Sequence, residues 1–236
     1  MFAAIVLFST WIILGIPAAV IGFSWTLIRR DVSLLYRMAM GIVTTGLRLA
    51  GIRVEATWEQ QPDPAQRYIF LSNHVSNLDP PVLFPLLPGR ASGFIKRSLT
   101  RIPVLGYGLK LAQFIPVDRD GNVESAAASV QYAQQVLASG AHIVSFVEGT
   151  RSRNGRLQPF KKGPFYLAME SGAPVIPVSI HGTESMMRKG SVRIFPGTAH
   201  VVFHAPLLPR NYSSREGLME ATRVAIASGL PEWMRS

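Results

Sequence analysis

Residues 68–80 read YIFLSNHVSNLDP, a short apolar run that leads into a polar loop and then a proline. An apolar run of this length, bounded by turn residues, predicts a buried strand. Pro80 suits the first turn of a helix, which we expect to continue through Leu86. The loop between strand and helix carries His74 and Asp79, and loops at strand ends commonly display reactive side chains.

Outward from this segment, the chain after Gly51 alternates short β-rich runs with helical patterns, which predicts one α/β domain. The clearest helix covers residues 123–139, and the last one starts near Ser213, where Ser213 and Glu216 have capping-box spacing. We expect strands at 52–58, 68–71, near 94, and at 114–117, 143–147, 175–180, 192–195 and 201–203.

The N-terminal segment from Phe2 to Ile28 contains no charged residue. As a helix rising about 1.5 Å per residue it would exceed the roughly 30 Å hydrocarbon core of a bilayer, so its length permits a span. Pro17, with glycines on both sides, instead allows a kinked or re-entrant hairpin that enters one leaflet. Arg29 and Arg30 favour a cytoplasmic location for the following segment. A signal peptide is disfavoured, because no basic region precedes the apolar stretch.

A second helix is predicted from Ser33 to Leu49, with Leu34, Met38, Ile42 and Leu49 on one face. This pattern indicates a helix at the membrane interface. The alternative is an ordinary amphipathic helix that covers the catalytic core, and the two interpretations can both hold. We therefore divide the chain into a membrane-associated helical segment, residues 1–50, and a catalytic domain, residues 51–236.

The composition is basic and apolar. A formal charge of +10 arises from 24 basic and 14 acidic residues, and 48% of the residues are hydrophobic. Such a charge suits nucleic acid, an anionic bilayer, a phosphorylated ligand or an acidic carrier protein, and charge alone does not choose among them. The chain has no cysteine, which excludes disulfides, thiolate metal sites and a cysteine nucleophile.

His74 and Asp79 have the spacing of an acid–base pair. If the loop curls, the carboxylate of Asp79 accepts a hydrogen bond from one imidazole nitrogen and leaves the other free to take a proton. The competing interpretation is that Asp79, before Pro80, is an ordinary helix N-cap, as Ser76 also could be. This segment alone leaves both interpretations open.

A second polar loop follows the apolar run at residues 143–147. Gly149 permits a sharp turn, Thr150 supplies a hydroxyl, and Arg151 can grip an anionic oxygen in bidentate fashion. Five cationic side chains lie within twelve residues here, which indicates either a solvated basic loop or a site for an anion: Arg151, Arg153, Arg156, Lys161 and Lys162.

Two further segments complete the pattern. Arg119 follows the predicted strand at 114–117, and Lys96 and Arg97 end an earlier strand, so these cations could converge on one anion. Residues 173–178 read APVIPV, a strand punctuated by prolines whose simplest role is structural.

Four segments, in order, resemble the motifs of the 1-acyl-sn-glycerol-3-phosphate acyltransferase family: 73–79, 114–119, 146–152 and 175–178. The first contains the family's signature of a histidine and an aspartate separated by four residues. The resemblance covers about half of the chain, from Tyr68 to His181. Val147 replaces a proline common in the family, and Val117 replaces a commoner isoleucine, but neither change removes a charged group.

The resemblance implies a glycerolipid acyltransferase-like fold, in which helices flank a single mixed sheet and an N-terminal helical hairpin docks on the membrane. It implies that His74 is the general base and Asp79 its partner. It also implies a set of residues at the acceptor phosphate: Lys96, Arg119, Glu148, Gly149, Thr150 and Arg151.

The implied reaction moves an acyl chain from acyl-CoA or acyl-carrier protein to the sn-2 hydroxyl of 1-acyl-glycerol 3-phosphate, giving phosphatidic acid. We expect no metal, no redox cofactor, no acyl-enzyme and no nucleic-acid partner. The expected partners are the bilayer, the lysophospholipid acceptor and the acyl donor. The expected location is the cytoplasmic face of a bacterial inner membrane.

Other enzyme classes lack their signatures in this sequence. A serine hydrolase would carry a Gly-x-Ser-x-Gly elbow, which does not occur. His200 and His204 share a predicted strand face without a His-Glu-x-x-His pattern, so we interpret them as surface or packing residues. Two alternatives stay open: an acyltransferase acting on another lysolipid or an amino-acid lipid, and a non-enzymatic basic protein that binds membrane lipids.

Overall fold

The chain begins with two packed antiparallel helices, α1 (Phe2–Arg29) and α2 (Ser33–Leu49). The computed structural model describes residues 2–117 and 123–235, with the backbone alone for 123–126. α1 is one continuous helix that runs through Pro17, so the proline does not break it into a hairpin. By length and composition alone, α1 is apolar enough to cross a membrane. α2 has the bounds that the sequence predicts.

Close packing joins the two helices. Gly46 of α2 lies against Trp11 of α1, and a Cβ atom at Gly46 would collide with the indole ring. Gly22 of α1 lies in the same way against Leu35. These contacts with α2 stabilise α1 on both sides of Pro17, which explains why a residue that removes one helical hydrogen bond does not end the helix.

Seven strands form one mixed sheet in the order β1-β7-β6-β2-β5-β3-β4. β6 and β7 are antiparallel, and all other neighbouring strands are parallel. The strands are β1 (Ile52–Trp58), β2 (Ile69–Ser72), β3 (Ala91–Lys96), β4 (Ile115–Val117), β5 (His142–Phe146), β6 (Val175–His181) and β7 (Gly197–Phe203). Together with the flanking helices, they confirm the predicted fold class.

The helices that follow α2 connect these strands or end the chain. They are α3 (Asp79–Leu83), α4 (Leu105–Leu111), α5 (Val123–Ala138), α6 (Gly163–Ser171), α7 (Thr183–Met186) and α8 (Arg215–Ser228). The sheet is buried on both faces, as parallel sheets generally are. Along β2, Phe70 belongs to one hydrophobic cluster with Leu7 and Leu47, whereas Ile69 and Leu71 belong to a second cluster on the opposite face.

Two sequence predictions about secondary structure are wrong. Residues 191–196 are irregular rather than a strand, because the Phe195 amide donates to the Met186 carbonyl and Pro196 has no amide to donate. The last helix is capped by Ser214, not Ser213: the Ser214 hydroxyl accepts a hydrogen bond from the Gly217 amide at 3.1 Å.

The parallel strands bring several loops to one edge of the sheet. Ser72 at the end of β2 pairs with Phe146 of β5 and with Val178 of β6. The segments that follow β2 and β5 therefore leave the sheet side by side, and the end of β6 lies next to them. In open α/β sheets this carboxyl edge is the usual position of a functional site.

Candidate active site

His74 and Asp79 form a close pair at the carboxyl edge of the sheet. The His74 Nδ1 atom lies 2.7 Å from Asp79 Oδ2, and the side chain of Asp79 is fully buried. The same Oδ2 atom accepts hydrogen bonds from the Val75 amide at 2.7 Å and the Ser76 amide at 2.8 Å. The Thr183 hydroxyl donates to the other oxygen, Oδ1. Asp79 thus holds the loop in the curled form that the pair requires.

The N-cap interpretation of Asp79 is not supported. Asp79 is the first residue of α3, and Leu78 occupies the cap position without a side-chain cap. Ser76 does not cap this helix either, since its hydroxyl donates to the Met187 carbonyl and accepts from the Leu78 amide. The carboxylate of Asp79 therefore serves the preceding loop and the imidazole.

The pairing fixes the tautomer of His74. A carboxylate can only accept, so we assign the ring hydrogen to Nδ1, which leaves the lone pair on Nε2. Within the part of the chain that the structure describes, no hydrogen bond involves Nε2. The ring stacks on Phe146 with centroids 4.2 Å apart, and its side chain is 14% exposed. The group is thus held rigidly, reaches solvent and can accept a proton.

The loop after β5 is joined to the backbone of His74. The Ser152 amide donates to the His74 carbonyl at 2.8 Å, and the His74 amide donates to Glu148 Oε1 at 2.8 Å. The second oxygen of Glu148 accepts from the Gln158 amide at 3.3 Å. These bonds fasten the two polar loops predicted from the sequence into one unit.

Glu148 does not have the position expected of a phosphate-binding residue. It is 2% exposed, and backbone amides engage both carboxylate oxygens. Burial raises the pKa of Glu148 to about 7; the His74 and Gln158 amides oppose this rise, whereas the charge of Asp79 adds to it. A buried group of this kind would repel a phosphate when ionised, so its geometry favours a positioning role beneath His74.

The residues that follow Glu148 in the cation-rich loop lie nearer to solvent. Gly149 has φ of +70°, the sharp turn that the sequence indicates, and Gly149 and Thr150 are exposed. Arg151 is half-buried, and the Lys189 ammonium donates to its carbonyl at 2.6 Å. In the described ranges no ion pair or hydrogen bond occupies the Arg151 guanidinium, which can therefore receive an anion.

Lys96 is the last residue of β3 and is exposed. β3 pairs with β5, so Lys96 and the loop that carries Arg151 leave the same edge of the sheet. Arg119, the third predicted phosphate ligand, lies outside the described residues.

Sequence reasoning missed two residues that assemble this site. The Asn73 side chain donates to the Ile180 carbonyl and accepts from the Ile180 amide, both at 2.8 Å, which fixes the start of the loop against β6. Thr183, which supports Asp79, begins α7 and is separated from the end of β6 by one residue. The proline-punctuated strand interpreted as structural therefore also delivers a supporting group, and the signal in the sequence is a polar residue shortly after an apolar strand.

A second chain of hydrogen bonds runs through His204, just past the far end of β7 and outside the His74 site. His204 Nε2 is 2.8 Å from the Ser179 hydroxyl, and His204 Nδ1 is 2.7 Å from Glu59 Oε1. The order resembles a hydrolase triad, but Ser179 is fully buried and donates to the Ile226 carbonyl at 2.6 Å. Because no substrate can reach this hydroxyl, the chain of bonds is a packing device that ties β6 to α8.

The sequence that forms these strands and loops matches a known family. A model of the family described as Acyltransferase matches residues 53–181, more than half of the chain. A 1-acyl-sn-glycerol-3-phosphate acyltransferase of Chlamydomonas reinhardtii is 35% identical over 73% of this chain and 51% of its own length. The alpha form from Homo sapiens is 33% identical over 65% of this chain and 54% of its own length.

The chain spans about half the length of the curated relatives that it matches. The solved structure of the 1-acyl-sn-glycerophosphate acyltransferase PlsC from Thermotoga maritima covers 94% of this chain with a TM-score of 0.72. This chain covers 92% of that protein at 24% identity, a likeness that speaks for the fold alone. The family match includes β2, β5, β6 and the loops that hold His74, Asp79 and Arg151, and it makes this protein a member of the acyltransferase family.

Proposed function

We propose that this protein transfers an acyl chain from a thioester donor to the free sn-2 hydroxyl of 1-acyl-glycerol 3-phosphate, giving phosphatidic acid. The names of the relatives support the choice of acceptor. The observation that carries the proposal is the 2.7 Å pair of His74 and Asp79, whose second imidazole nitrogen has an available lone pair.

In the proposed mechanism, His74 Nε2 removes the proton of the acceptor hydroxyl while its oxygen attacks the thioester carbonyl. Asp79 stabilises the imidazolium that forms. The tetrahedral intermediate then collapses, the carbon–sulfur bond breaks, and the departing thiolate takes the proton from His74. In this mechanism the acyl group passes directly between the substrates; the chain has no cysteine to carry it, and the buried Ser179 is inaccessible.

We assign the acceptor phosphate to Arg151 and Lys96, with the exposed backbone and hydroxyl of Gly149 and Thr150 beside them. Arg119 is proposed for the same role on the sequence alone. A phosphate held by these cations places the hydroxyl near His74, and such positioning makes the attack effectively unimolecular. Glu148 acts on the reaction through the backbone of His74.

We propose that α1 attaches the protein to the cytoplasmic face of a bacterial inner membrane. Its exposed apolar side chains, among them Phe2, Ile13 and Ile28, support contact with lipid. Arg29 follows the apolar stretch and lies over the Trp25 ring at 5.5 Å, an arrangement suited to the interface between lipid and water. The charge of +10 suits acyl-CoA or an acidic acyl-carrier protein as donor.

The test is a donor-by-acceptor assay of the purified full-length chain with product identification by mass spectrometry. Acyl-CoA and acyl-carrier protein are each combined with 1-acyl-glycerol 3-phosphate, with lysophospholipids bearing larger headgroups, and with an amino-acid lipid. We expect phosphatidic acid to form fastest. A faster reaction with an acceptor that lacks a terminal phosphate would contradict the assignment, and a trapped acyl-protein would contradict direct transfer.

A further inference from the structure

Residues 99–107, here called the apolar turn, leave the carboxyl edge of the sheet shortly after β3. The large apolar side chains of this turn are between 37% and 56% exposed: Leu99, Ile102, Val104, Leu105 and Tyr107. Five such side chains in nine residues form an exposed apolar patch, and patches of this kind mark interaction surfaces.

The backbone of the apolar turn is closed on itself. The amides of Leu105 and Gly106 donate to the Pro103 and Ile102 carbonyls, both at 2.7 Å, and the Gly108 amide donates to Val104 at 2.9 Å. Pro103 has no amide hydrogen to satisfy. Amides that are paired in this way can leave water at a smaller energetic cost than the unpaired amides of an open loop.

The backbone conformation of Val104 indicates that the surrounding structure holds this part of the apolar turn in place. Its φ of +63° is an outlier for a β-branched residue, and its side chain is 56% exposed. Strained residues of this kind persist only where neighbouring structure fixes them, and they concentrate at functional positions.

The apolar turn is continuous with the surface of α1. The Tyr107 ring meets the Phe23 ring of α1 edge to face, with centroids 5.1 Å apart. Gly108 also lies beside Phe23, where a Cβ atom would be in ordinary contact at 3.8 Å. The apolar side chains of the turn therefore extend the apolar surface that α1 exposes.

Cations border this surface. Arg101 and Lys110 are exposed, and together with Thr100 they line a cavity of about 840 Å³ against β4 and α5. An apolar patch with a basic border fits the boundary between acyl chains and anionic headgroups. Its continuity with α1 favours a bilayer over a protein partner as the occupant.

We propose that the apolar turn is a second membrane contact, which enters the same leaflet as α1 and places Arg101 and Lys110 at lipid phosphates. This inference rests on the proposed attachment of α1 to the membrane. Because the turn follows β3, its insertion directs the sheet edge that carries His74 and Arg151 toward the bilayer. A single-chain lipid acceptor then approaches the site from the leaflet itself.

The chain contains no cysteine, so one introduced cysteine gives a unique label. An environment-sensitive fluorophore is attached to Val104→Cys in the full chain, bound to vesicles of phosphatidylethanolamine and phosphatidylglycerol. Val224→Cys, which is 61% exposed on α8, is the matched control, and Ile102→Cys guards against a folding defect at the strained position. We expect a blue shift at 102 and 104, quenching by brominated acyl chains, and neither effect at 224.

Two results would overturn the proposal. One is a label at 102 and 104 that stays as water-accessible as that at 224 while the protein sediments with the vesicles. The other is a blue shift that appears without lipid as the protein concentration rises, which would assign the patch to a second copy of the chain.

An affinity measurement supplies an independent test. Leu105→Asp should weaken binding to the same vesicles by roughly tenfold, whereas Val224→Asp should not. Equal affinity of the two variants would contradict membrane entry by the turn. Neither test needs turnover. Lipid quenching at the turn in a protein that is inactive on 1-acyl-glycerol 3-phosphate would therefore contradict the proposed function and leave this inference standing. A protein that acylates 1-acyl-glycerol 3-phosphate while its turn stays in water would contradict this inference and leave the proposed function standing.

Discussion

Replacing Asp79 with asparagine separates the charge of the carboxylate from its hydrogen bonds. Oδ2 accepts from His74 and from the amides of Val75 and Ser76, so the amide oxygen of asparagine should take that position. The amide nitrogen then faces Thr183, whose hydroxyl can turn to accept. The loop should keep its shape while His74 loses the negative charge beside it.

The expected effect on rate follows from this lost charge. Carboxylate and imidazolium centres about 4 Å apart attract by about 4 kcal/mol at an effective dielectric constant of about 20. Because the imidazolium forms only during proton transfer, most of this energy belongs to the transition state, and its loss slows kcat/KM about 10³-fold. Asp79→Ala is less informative, since it leaves buried donors without an acceptor at about 1–3 kcal/mol each.

The assay follows thiol release from acyl-CoA with 1-acyl-glycerol 3-phosphate in detergent micelles, with thermal unfolding as a check on folding. Asp63→Asn is the matched control, because Asp63 accepts an exposed hydrogen bond from the Ala65 amide and lies outside the loop that holds His74. We expect that control to retain its rate. A folded Asp79→Asn enzyme within tenfold of the parent rate would refute the electrostatic role of this carboxylate.

Three further predictions concern the residues around the pair. Arg151→Lys removes the bidentate fork and should raise the acceptor KM roughly tenfold with little change in kcat, whereas Arg153→Lys should change neither; an unchanged KM would argue against phosphate binding at 151. The raised pKa of Glu148, about 7, means that the folded state binds the extra proton, so stability should fall by about 3 kcal/mol as pH rises from 4.5 to 7. Denaturant titrations across that range should show a smaller fall in the free energy of unfolding for Glu148→Gln than for the parent chain. The same dependence on pH in both proteins would contradict the assignment of a raised pKa to Glu148. Asn73→Ala leaves both backbone groups of Ile180 without a partner and should lower the free energy of unfolding by about 3 kcal/mol. The control Asn77→Ala, at an exposed position, should change it little. Equal losses in the two variants would contradict the role of the Asn73–Ile180 hydrogen bonds.

The sequence was informative where local chemistry decides structure. His74 and Asp79 lie five positions apart in one loop, so a short turn is enough to join them. Gly149 occupies the left-handed turn that its residue type suggests. The bounds of α2 also followed from a periodic apolar pattern with clear ends.

The sequence was uninformative where partners are distant along the chain. Asn73 meets Ile180 across 107 positions, and Thr183 meets Asp79 across 104. Such contacts depend on the order of β2 and β6 in the sheet, which no local pattern encodes. Glu148 shows the same limit: beside Arg151 it suggests a ligand contact, yet its partner is the amide of His74.

The predicted strand at 192–195 failed for a different reason. Of its apolar residues Ile194 is buried, whereas Val192 and Phe195 are 76% and 54% exposed. One buried anchor in an irregular segment has the same composition as a short strand, and only the surrounding hydrogen bonds separate the two.

The most direct test of the proposed chemistry is the rate of phosphatidic acid formation by full-length His74→Ala, measured against the parent chain under kcat/KM conditions. If Nε2 of His74 is the general base, the variant should fold normally and lose about 10²- to 10⁴-fold in rate. A folded His74→Ala protein that makes phosphatidic acid at the parent rate would show that the proton leaves by another route.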